Sequence, residues 1–540
     1  MASIGPIVSL SVEKKTISEA LGPWSDSLRI PVVQREFEWD EEKIKLLMDS
    51  IVRSYPIGTI ILWETYDKLP NSKMLGNIEV DDGDGPFSYV IDGQQRLLSL
   101  LLLANSWEIM RGKEKVKREP ISYNPSTEEF RIGSKVGIDL SLLFNASRGK
   151  AVALKELSTN YQNYESPLES IGSKISNYEL PIYTLKSPKG AEIDPDVISE
   201  IFTRINTSGV RLGNLQIFLS FFASAFPSLK DLMLKKYREL NGLYEDEYPS
   251  WEACIRTVFG ILDKSQSRLT RKNSFRSTID EVKSEYHNSS DKLTEVINKA
   301  FESMRCGLAL LSKELGISSR RFMPSHTVMI PIYKWLFLND LSEVSAITLT
   351  DKRHILKWFL ISSVNNYYST WTDRKLEKSL SVVKAGKGFP IDELISQMET
   401  YLRIDRINED DVVTFQATKP TQMLLLAILH RKNASDWAGH PINSNNITIQ
   451  HIFPRELLKG KWGTEYIDAI ANLTLINGNV NSEIQDLEPK DYLHRFSKDL
   501  SDHMIPQSPG DWTLTNFESF LAKRDELIKQ EIRNLMNSLS

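Results

Sequence analysis

From Tyr89 to Ala104 the chain reads Tyr-Val-Ile-Asp-Gly-Gln-Gln-Arg and then Leu-Leu-Ser-Leu-Leu-Leu-Leu-Ala. An apolar strand gives way at an Asp-Gly step to a leucine-rich helix, so strand and helix must share a core. Asp92 can act as N-cap, with Gln95 three residues on, in the manner of a capping box. Gly93 allows another group to approach the backbone closely. The start of such a helix offers unpaired N–H groups and the positive end of its dipole, which suit an anion. Arg96 adds a planar, permanently charged fork that suits phosphate. On spacing alone the stretch fits a phosphate site, and equally a capped helix whose polar residues satisfy one another.

The leucine run also bears on the solvent. Leu97–Ala104 and Met423–Leu429 are the longest greasy stretches, well short of the ~18 apolar residues of a spanning helix. Met1 to Lys15 lacks the basic flank and apolar run of a signal peptide. A soluble protein without a membrane role is expected. Cys254 and Cys306 are the only cysteines among 540 residues. They exclude a disulfide framework or a four-cysteine zinc site and fit a reducing, cytoplasmic compartment. At roughly 100–200 residues per domain, the length asks for about three cores. The formal net charge of −5 argues against wholesale nucleic-acid binding.

Local patterning predicts an α+β multidomain chain. Pro56 to Trp63 reads as a turn leading into a buried strand, and Phe87 to Ile91 as a second strand. Ile198, Ile201, Phe202 and Ile205 mark a helix that Gly209 stops, and another runs from Leu215 through Phe222. From about 228 to 430 the pattern is almost wholly helical, strongest at 353–364 and 422–430. Lys264, Arg268, Arg271, Lys272 and Arg276 form a basic run without an acidic residue, readable as a solvated loop or as a phosphate-contacting arm. Strands are predicted at Asn446–Gln450 and Asn472–Ile476, with a helix opening near Asn481. Residues 441–540 hold ten Lys+Arg against fourteen Asp+Glu, so DNA affinity must come largely from elsewhere or through metal.

Three signatures now combine. Ile30-Pro31 leads to Gln34, Arg35, Phe37 and Trp39; Asp92-Gly93-Gln94-Gln95-Arg96 follows; Phe202 then leads to Arg204, Ile205, Asn206, Thr207 and Gly209. In this order, over about residues 14 to 225, they resemble the N-terminal domain of the GmrSD family of type IV, modification-dependent restriction enzymes. The resemblance implies a ParB/sulfiredoxin-like fold and a site that binds and hydrolyses a nucleoside triphosphate, whether ATP, GTP or another. It assigns Asp92, Gly93, Gln94, Gln95 and Arg96 to that site, with Gln34, Arg35 and Arg204 as walls. No Walker loop occurs in the chain.

The second half of the resemblance spans about residues 430 to 535. His451-Ile452-Phe453-Pro454, Asn472 through Ile476, Asn481 and Pro489 through Leu493 are similar to the HNH-like, ββα-metal nuclease domain of the same family. In such nucleases a histidine at the end of the first strand activates water against a phosphodiester. A helix side chain there holds a divalent cation. The resemblance makes His451 the general base, Asn472 a support for the histidine or its loop, and Asn481 a ligand for Mg²⁺ or Mn²⁺. Gln450 takes the adjacent ligand position, which is usually acidic; Glu456, Glu483 or Asp486 are nearby carboxylates that could substitute. Three parts follow: a nucleotide-binding domain at 1–225, a helical middle at 226–435 and a nuclease domain at 436–540. Their fusion resembles BrxU-like and SspE-like members. The implied function is an NTP-dependent or NTP-regulated endonuclease that cleaves or nicks modified phage DNA. Homodimerisation is one way for single-site chains to cut both strands. The alternative is a nucleotide-controlled DNA-binding or interaction protein with an inert nuclease domain. Phe37, Trp39 and Trp63, candidate walls for a modified base, read better as core. His494 and His503 read as surface or packing residues, and Cys254 as a buried helix residue.

Overall fold

The computed structural model describes residues 9–30, 37, 39–66, 73–75, 85–111, 114–133, 137–160, 165–187, 215, 218–219, 222, 225–244, 248–271, 274–286, 289–402, 407, 417–437, 439–442, 447–477, 487–496 and 500–540. It is a mixed α+β chain that divides into two compact units, Met1–Pro227 and Ser228–Ser540. The segments expected at 226–435 and 436–540 lie together in the second unit. The helix expected around Ile198–Ile205 and the one expected near Asn481 lie outside the described residues.

The first unit is built on a six-stranded sheet. Its strands are β1 (Ser9–Thr16), β2 (Leu28–Ile30), β3 (Ile60–Thr65), β4 (Lys73–Met74), β5 (Phe87–Asp92) and β6 (Glu179–Lys186), in the order β1-β6-β3-β5-β2-β4. Pairing is mixed: β6 runs parallel to β3 and β2 parallel to β5, while β3 and β5 are antiparallel. Successive side chains on a strand point to opposite faces, and the sequence is apolar on both. Ile60, Leu62 and Val90 join the larger core; Ile61, Trp63, Phe87, Tyr89 and Ile91 make a separate cluster. Helices α1 (Glu41–Val52), α2 (Gln94–Ala104), α3 (Leu140–Ser147) and α4 (Glu165–Asn177) belong to this unit. Every residue of α2 from Leu97 to Ala104 is buried. An apolar helix surface with no polar stripe has to be covered all round, and α2 therefore lies at the heart of the larger core.

The second unit is mainly helical, with α5 (Trp251–Ile261), α6 (Phe275–Glu285), α7 (Ser290–Leu315), α8 (Ile330–Leu338), α9 (Leu349–Val364), α10 (Thr372–Val382), α11 (Lys419–Arg431) and α12 (Phe517–Ser538). The 26-residue α7, capped by Ser289 and ended by Gly316 in the left-handed region, packs on α5, α8 and α11. Two antiparallel strands, β7 (Ile447–His451) and β8 (Leu473–Asn477), pair with Gln450 opposite Thr474 and His451 opposite Leu473.

Within the basic run at 264–276, Lys264 and Arg268 are tied down by acids, whereas Arg271 and Arg276 are exposed. Lys264 is buried and pairs with Glu285 and Glu281, and Arg268 Nη2 sits 2.7 Å from Glu281 Oε1. Thr270 Oγ1 donates to Asp373 Oδ2 at 2.6 Å, and Glu377 accepts from Ser265 and from Ser267. Glu281 and Glu285 of α6 thus neutralise Lys264 and Arg268, while Asp373 and Glu377 of α10 hold the hydroxyls of the segment, and none of these acids lies within the run itself.

Candidate functional site

Two places hold the residues that the motifs single out. In the first unit, β5 ends at Asp92 and Gly93 starts α2 with φ +92°, a left-handed conformation that glycine tolerates best. A Cβ there would lie 2.4 Å from Ile60 Cδ1. Gly93 is the N-cap, so the capping box expected from Asp92 and Gln95 does not form. Asp92 is still in the strand, and its carboxylate pairs instead with the Arg96 guanidinium, Oδ2 to Nη2 2.7 Å. Arg96 Nη1 donates to the Ile57 carbonyl at 2.7 Å. It passes so close to Gly58 (φ +87°) that a Cβ there would stand 2.4 Å from Nη1. Gln95 Oε1 accepts from the Trp39 backbone N–H at 3.2 Å, and Gln94 is buried. The first turn of α2 thus ties together β5, the Ile57–Gly58 turn and the chain before α1. Gln34, Arg35 and Arg204 lie outside the described residues. Phe37 and Trp39 pack against the larger core and Trp63 is buried in the smaller one, as core residues should be.

In the second unit, His451 closes β7 with about a quarter of its side chain exposed, and its Nε2 lies 2.8 Å from Asp468 Oδ1. The ionised carboxylate can only accept, so Nε2 carries the proton and Nδ1 becomes the nitrogen able to take another. The other Asp468 oxygen lies 3.4 Å from Arg455 Nη2, and the Asp468 carbonyl accepts from Ala417 N–H at 2.8 Å. Short-range patterning does not single out Asp468 among the carboxylates near His451. It stands 17 residues away, and its one sequence signal is its place four residues before Asn472. Among the expected substitutes, Glu456 pairs with Lys459 instead, and Glu483 and Asp486 lie outside the described residues.

Asn472 is fully buried. Its Oδ1 accepts from Phe453 N–H at 2.8 Å, and its Nδ2 donates to the Phe453 and Ile467 carbonyls at 3.1 and 2.9 Å. It clamps the chain that leaves β7 onto the turn that enters β8, and so supports the loop behind His451. Arg524 of α12 reinforces the same turn from inside the core. Its Nη1 donates to the Ile470 and Ala471 carbonyls at 3.2 and 2.8 Å, and its Nη2 to the His503 carbonyl at 3.1 Å. His503 is a packing residue. It is fully buried, bonded to Thr474 Oγ1 at 2.6 Å and to the Ser435 carbonyl at 2.8 Å, and burial lowers its pKa to about 4. Cys254 and Cys306 are buried, and burial pushes both thiols up, Cys306 to about 11. A reactive thiolate does not fit either position.

The donors for a cation are less complete. Gln450 is buried with its Nε2 donating to the His451 carbonyl at 2.9 Å, and Asn481 lies outside the described residues. Among the described residues no three His, Cys, Asp or Glu side chains come together as metal ligands. The described donors alone therefore do not make a metal site.

The sequence model for the GmrSD restriction endonuclease N-terminal domain matches residues 15–223, and that for the C-terminal domain matches 403–499. The chain belongs to the GmrSD family. Both domains stand on one chain and together take up more than half of it, as the motifs implied. The GmrSD N-terminal match contains Asp92 to Arg96, and the C-terminal match contains His451, Asp468 and Asn472. An uncharacterized protein of Methanocaldococcus jannaschii is 22% identical over 516 residues, 87% of this chain and 84% of that relative. As a restriction endonuclease by family, this GmrSD protein has DNA as its class of substrate. Among the described residues no helix is long and apolar enough to cross a membrane.

Proposed function

We propose that this GmrSD protein is an NTP-regulated endonuclease that cleaves or nicks modified phage DNA, with His451 as general base and Asp468 as the residue that positions it. The observation that carries the reading is the Nε2–Asp468 bond of 2.8 Å at the end of β7, backed by the buried Asn472 clamp. The carboxylate holds the ring in one orientation and favours the imidazolium that forms when Nδ1 takes a proton from water. The oxygen of that water then attacks phosphorus and the sugar oxygen leaves. Mg²⁺ or Mn²⁺, held through Asn481, would supply charge for the leaving oxygen. The strand pair β7–β8 fits the two strands of a ββα-metal (HNH-like) domain, and the mixed sheet of the first unit is assigned to the ParB/sulfiredoxin-like class.

Nucleotide binding is assigned to the surroundings of Asp92–Arg96. There Arg96 commits Nη1 and Nη2 to Ile57 and Asp92, so its part is to shape the site as well as to add charge. Cutting of both strands is assigned to a homodimer, and the compartment to the cytoplasm. The buried, uncharged Gln450 favours a second reading, a nucleotide-controlled DNA-binding protein with an inert nuclease domain.

Purified protein incubated with Mg²⁺ or Mn²⁺, with and without NTPs, on modified and unmodified phage DNA separates the two. Cleavage by the intact protein that disappears in His451→Ala supports the endonuclease. Cleavage that persists in His451→Ala removes His451 as base, and absence of cleavage on every substrate supports the second reading. Unaltered NTP hydrolysis in Arg96→Ala would remove the nucleotide assignment.

A further inference from the structure

Apart from both motif neighbourhoods, the first unit contains a cleft of about 310 Å³ between α3, α4 and a further helix, Ala151–Asn160. α3 and α4 pack so closely that a Cβ on Gly172 would stand 2.6 Å from the Leu143 carbonyl oxygen. The helix Ala151–Asn160 also packs on α3, yet of its ten described residues it buries only Ala153. The cleft lies between the tight pair and this lightly buried helix. Leu143 and Leu168, both buried, supply apolar walls from the pair. Leu154 and Leu157, one turn apart, supply them from the third helix, where Leu154 is still 48% exposed. Covering that apolar surface with a ligand is favourable in water.

The polar part of the lining is rich in lone pairs and poor in donors. Ser147 Oγ donates to the Phe144 carbonyl at 2.7 Å and also meets Ser176 Oγ. Ser158 Oγ donates to the Lys155 carbonyl at 3.0 Å. A hydroxyl has one hydrogen and two lone pairs. With that hydrogen spent inside the protein, each of these serines has only a lone pair to offer a ligand. Glu169 is exposed, and its carboxylate accepts only. Among the described residues it forms no ion pair, and no lysine or arginine lines the cleft. Ser173, one helical turn after Glu169, adds a further hydroxyl. A phosphate or a carboxylate would find no charged donor here.

We propose that this cleft binds a small aliphatic amine, with its ammonium group on Glu169 and the serine oxygens and its hydrocarbon part on the leucines. An ammonium group carries three donors and no acceptor, which complements a lining of lone pairs and one carboxylate. Its hydrogen bond to Glu169 is charge-assisted and so among the stronger kinds. The volume sits at the small end of ligand pockets, about 300–1,000 Å³. It is too small for a protein helix, about 10–12 Å across with its side chains. The inference is independent of the endonuclease and nucleotide readings, since no residue of either motif lines the cleft.

Calorimetric titration of the full chain with hexylamine, hexanol and hexanoate separates the head group from a common tail. Hexylamine is expected to saturate one site per chain. Hexanol should bind about tenfold more weakly or worse, for want of the charged hydrogen bonds, and hexanoate should not bind. Glu169→Gln, a change of the same shape at an exposed position, should weaken hexylamine by about tenfold or more and leave hexanol as it was. Leu157→Trp, which fills the cleft, should abolish binding of both. Glu156→Gln removes a carboxylate from the helix Ala151–Asn160 but outside the cleft, and should bind hexylamine like the intact chain. Urea midpoints close to that of the intact chain show that each variant is folded, and Glu169→Gln decides the matter if Leu157→Trp is not. Failure of the intact chain to bind hexylamine would overturn the proposal, as would hexanoate binding as well as hexylamine. So would undiminished affinity in Glu169→Gln, or an equal loss in Glu156→Gln.

Discussion

Truncating Asn472 to alanine removes the side chain that joins the exit from β7 to the entrance of β8. Its amide makes three hydrogen bonds of 2.8 to 3.1 Å to backbone groups of Phe453 and Ile467. The residue is fully buried, so water cannot enter to replace it without opening the core. Each backbone group left unmet there costs about 1–1.5 kcal/mol, and together they come to roughly 3–5 kcal/mol. The surrounding core contains Trp437 and Trp512, with Trp462 packed against it, so tryptophan fluorescence reports its unfolding directly. In urea, Asn472→Ala should lower the midpoint with little change in slope, since the surface exposed on unfolding is the same. Below its transition the variant should still cut DNA, because the side chain touches backbone and not substrate. An unchanged midpoint, or a stably folded variant that has lost cutting, would refute the structural role and return Asn472 to the chemistry.

Asp468→Asn should leave stability within about 1 kcal/mol but slow plasmid nicking by about 10²-fold or more, and His451→Ala should slow it at least as much. Nicking by Asp468→Asn at the rate of the intact chain would separate Asp468 from His451. His503 is held neutral, with a folded pKa of about 4 against about 6.5 unfolded. Its contribution is therefore full above pH ~6.5 and is lost as pH falls toward 4. About 2 kcal/mol should be gone by about pH 5, and urea midpoints should show less of this acid sensitivity in His503→Gln. Gly58→Ala places a Cβ where Arg96 Nη1 passes, at a φ of +87°. It should cost at least about 1 kcal/mol and depress NTP hydrolysis along with Arg96→Ala, measured by phosphate release.

Elements whose forces are local were legible. Phe87–Ile91 became β5, the leucine-rich stretch after Gly93 became α2, and the apolar faces at 353–364 and 422–430 fell within α9 and α11. The strands expected at Asn446–Gln450 and Asn472–Ile476 appear one residue later, as Ile447–His451 and Leu473–Asn477. That shift carries His451 into the ladder opposite Leu473. Interactions between distant segments were not legible. Asp373 and Glu377, which bond the Ser265–Thr270 stretch, are more than a hundred residues from it. Asp92 could cap a helix by its spacing, yet a guanidinium one turn on was the stronger partner for a carboxylate.

The sequence by itself determined the kind of chain this is. The Asp-Gly-Gln-Gln-Arg step, the late His-Ile-Phe-Pro and the Asn-Leu-Thr-Leu-Ile strand named its family, because a family resemblance is carried by residue type and short spacing. Tertiary structure alone decided what each charged group does. It set Arg96 between Ile57 and Asp92, brought Asp468 to His451, and cancelled Lys264 and Arg268 with acids. A charge acts through its neighbours in space, and folding chooses those neighbours from segments that the order of residues keeps far apart.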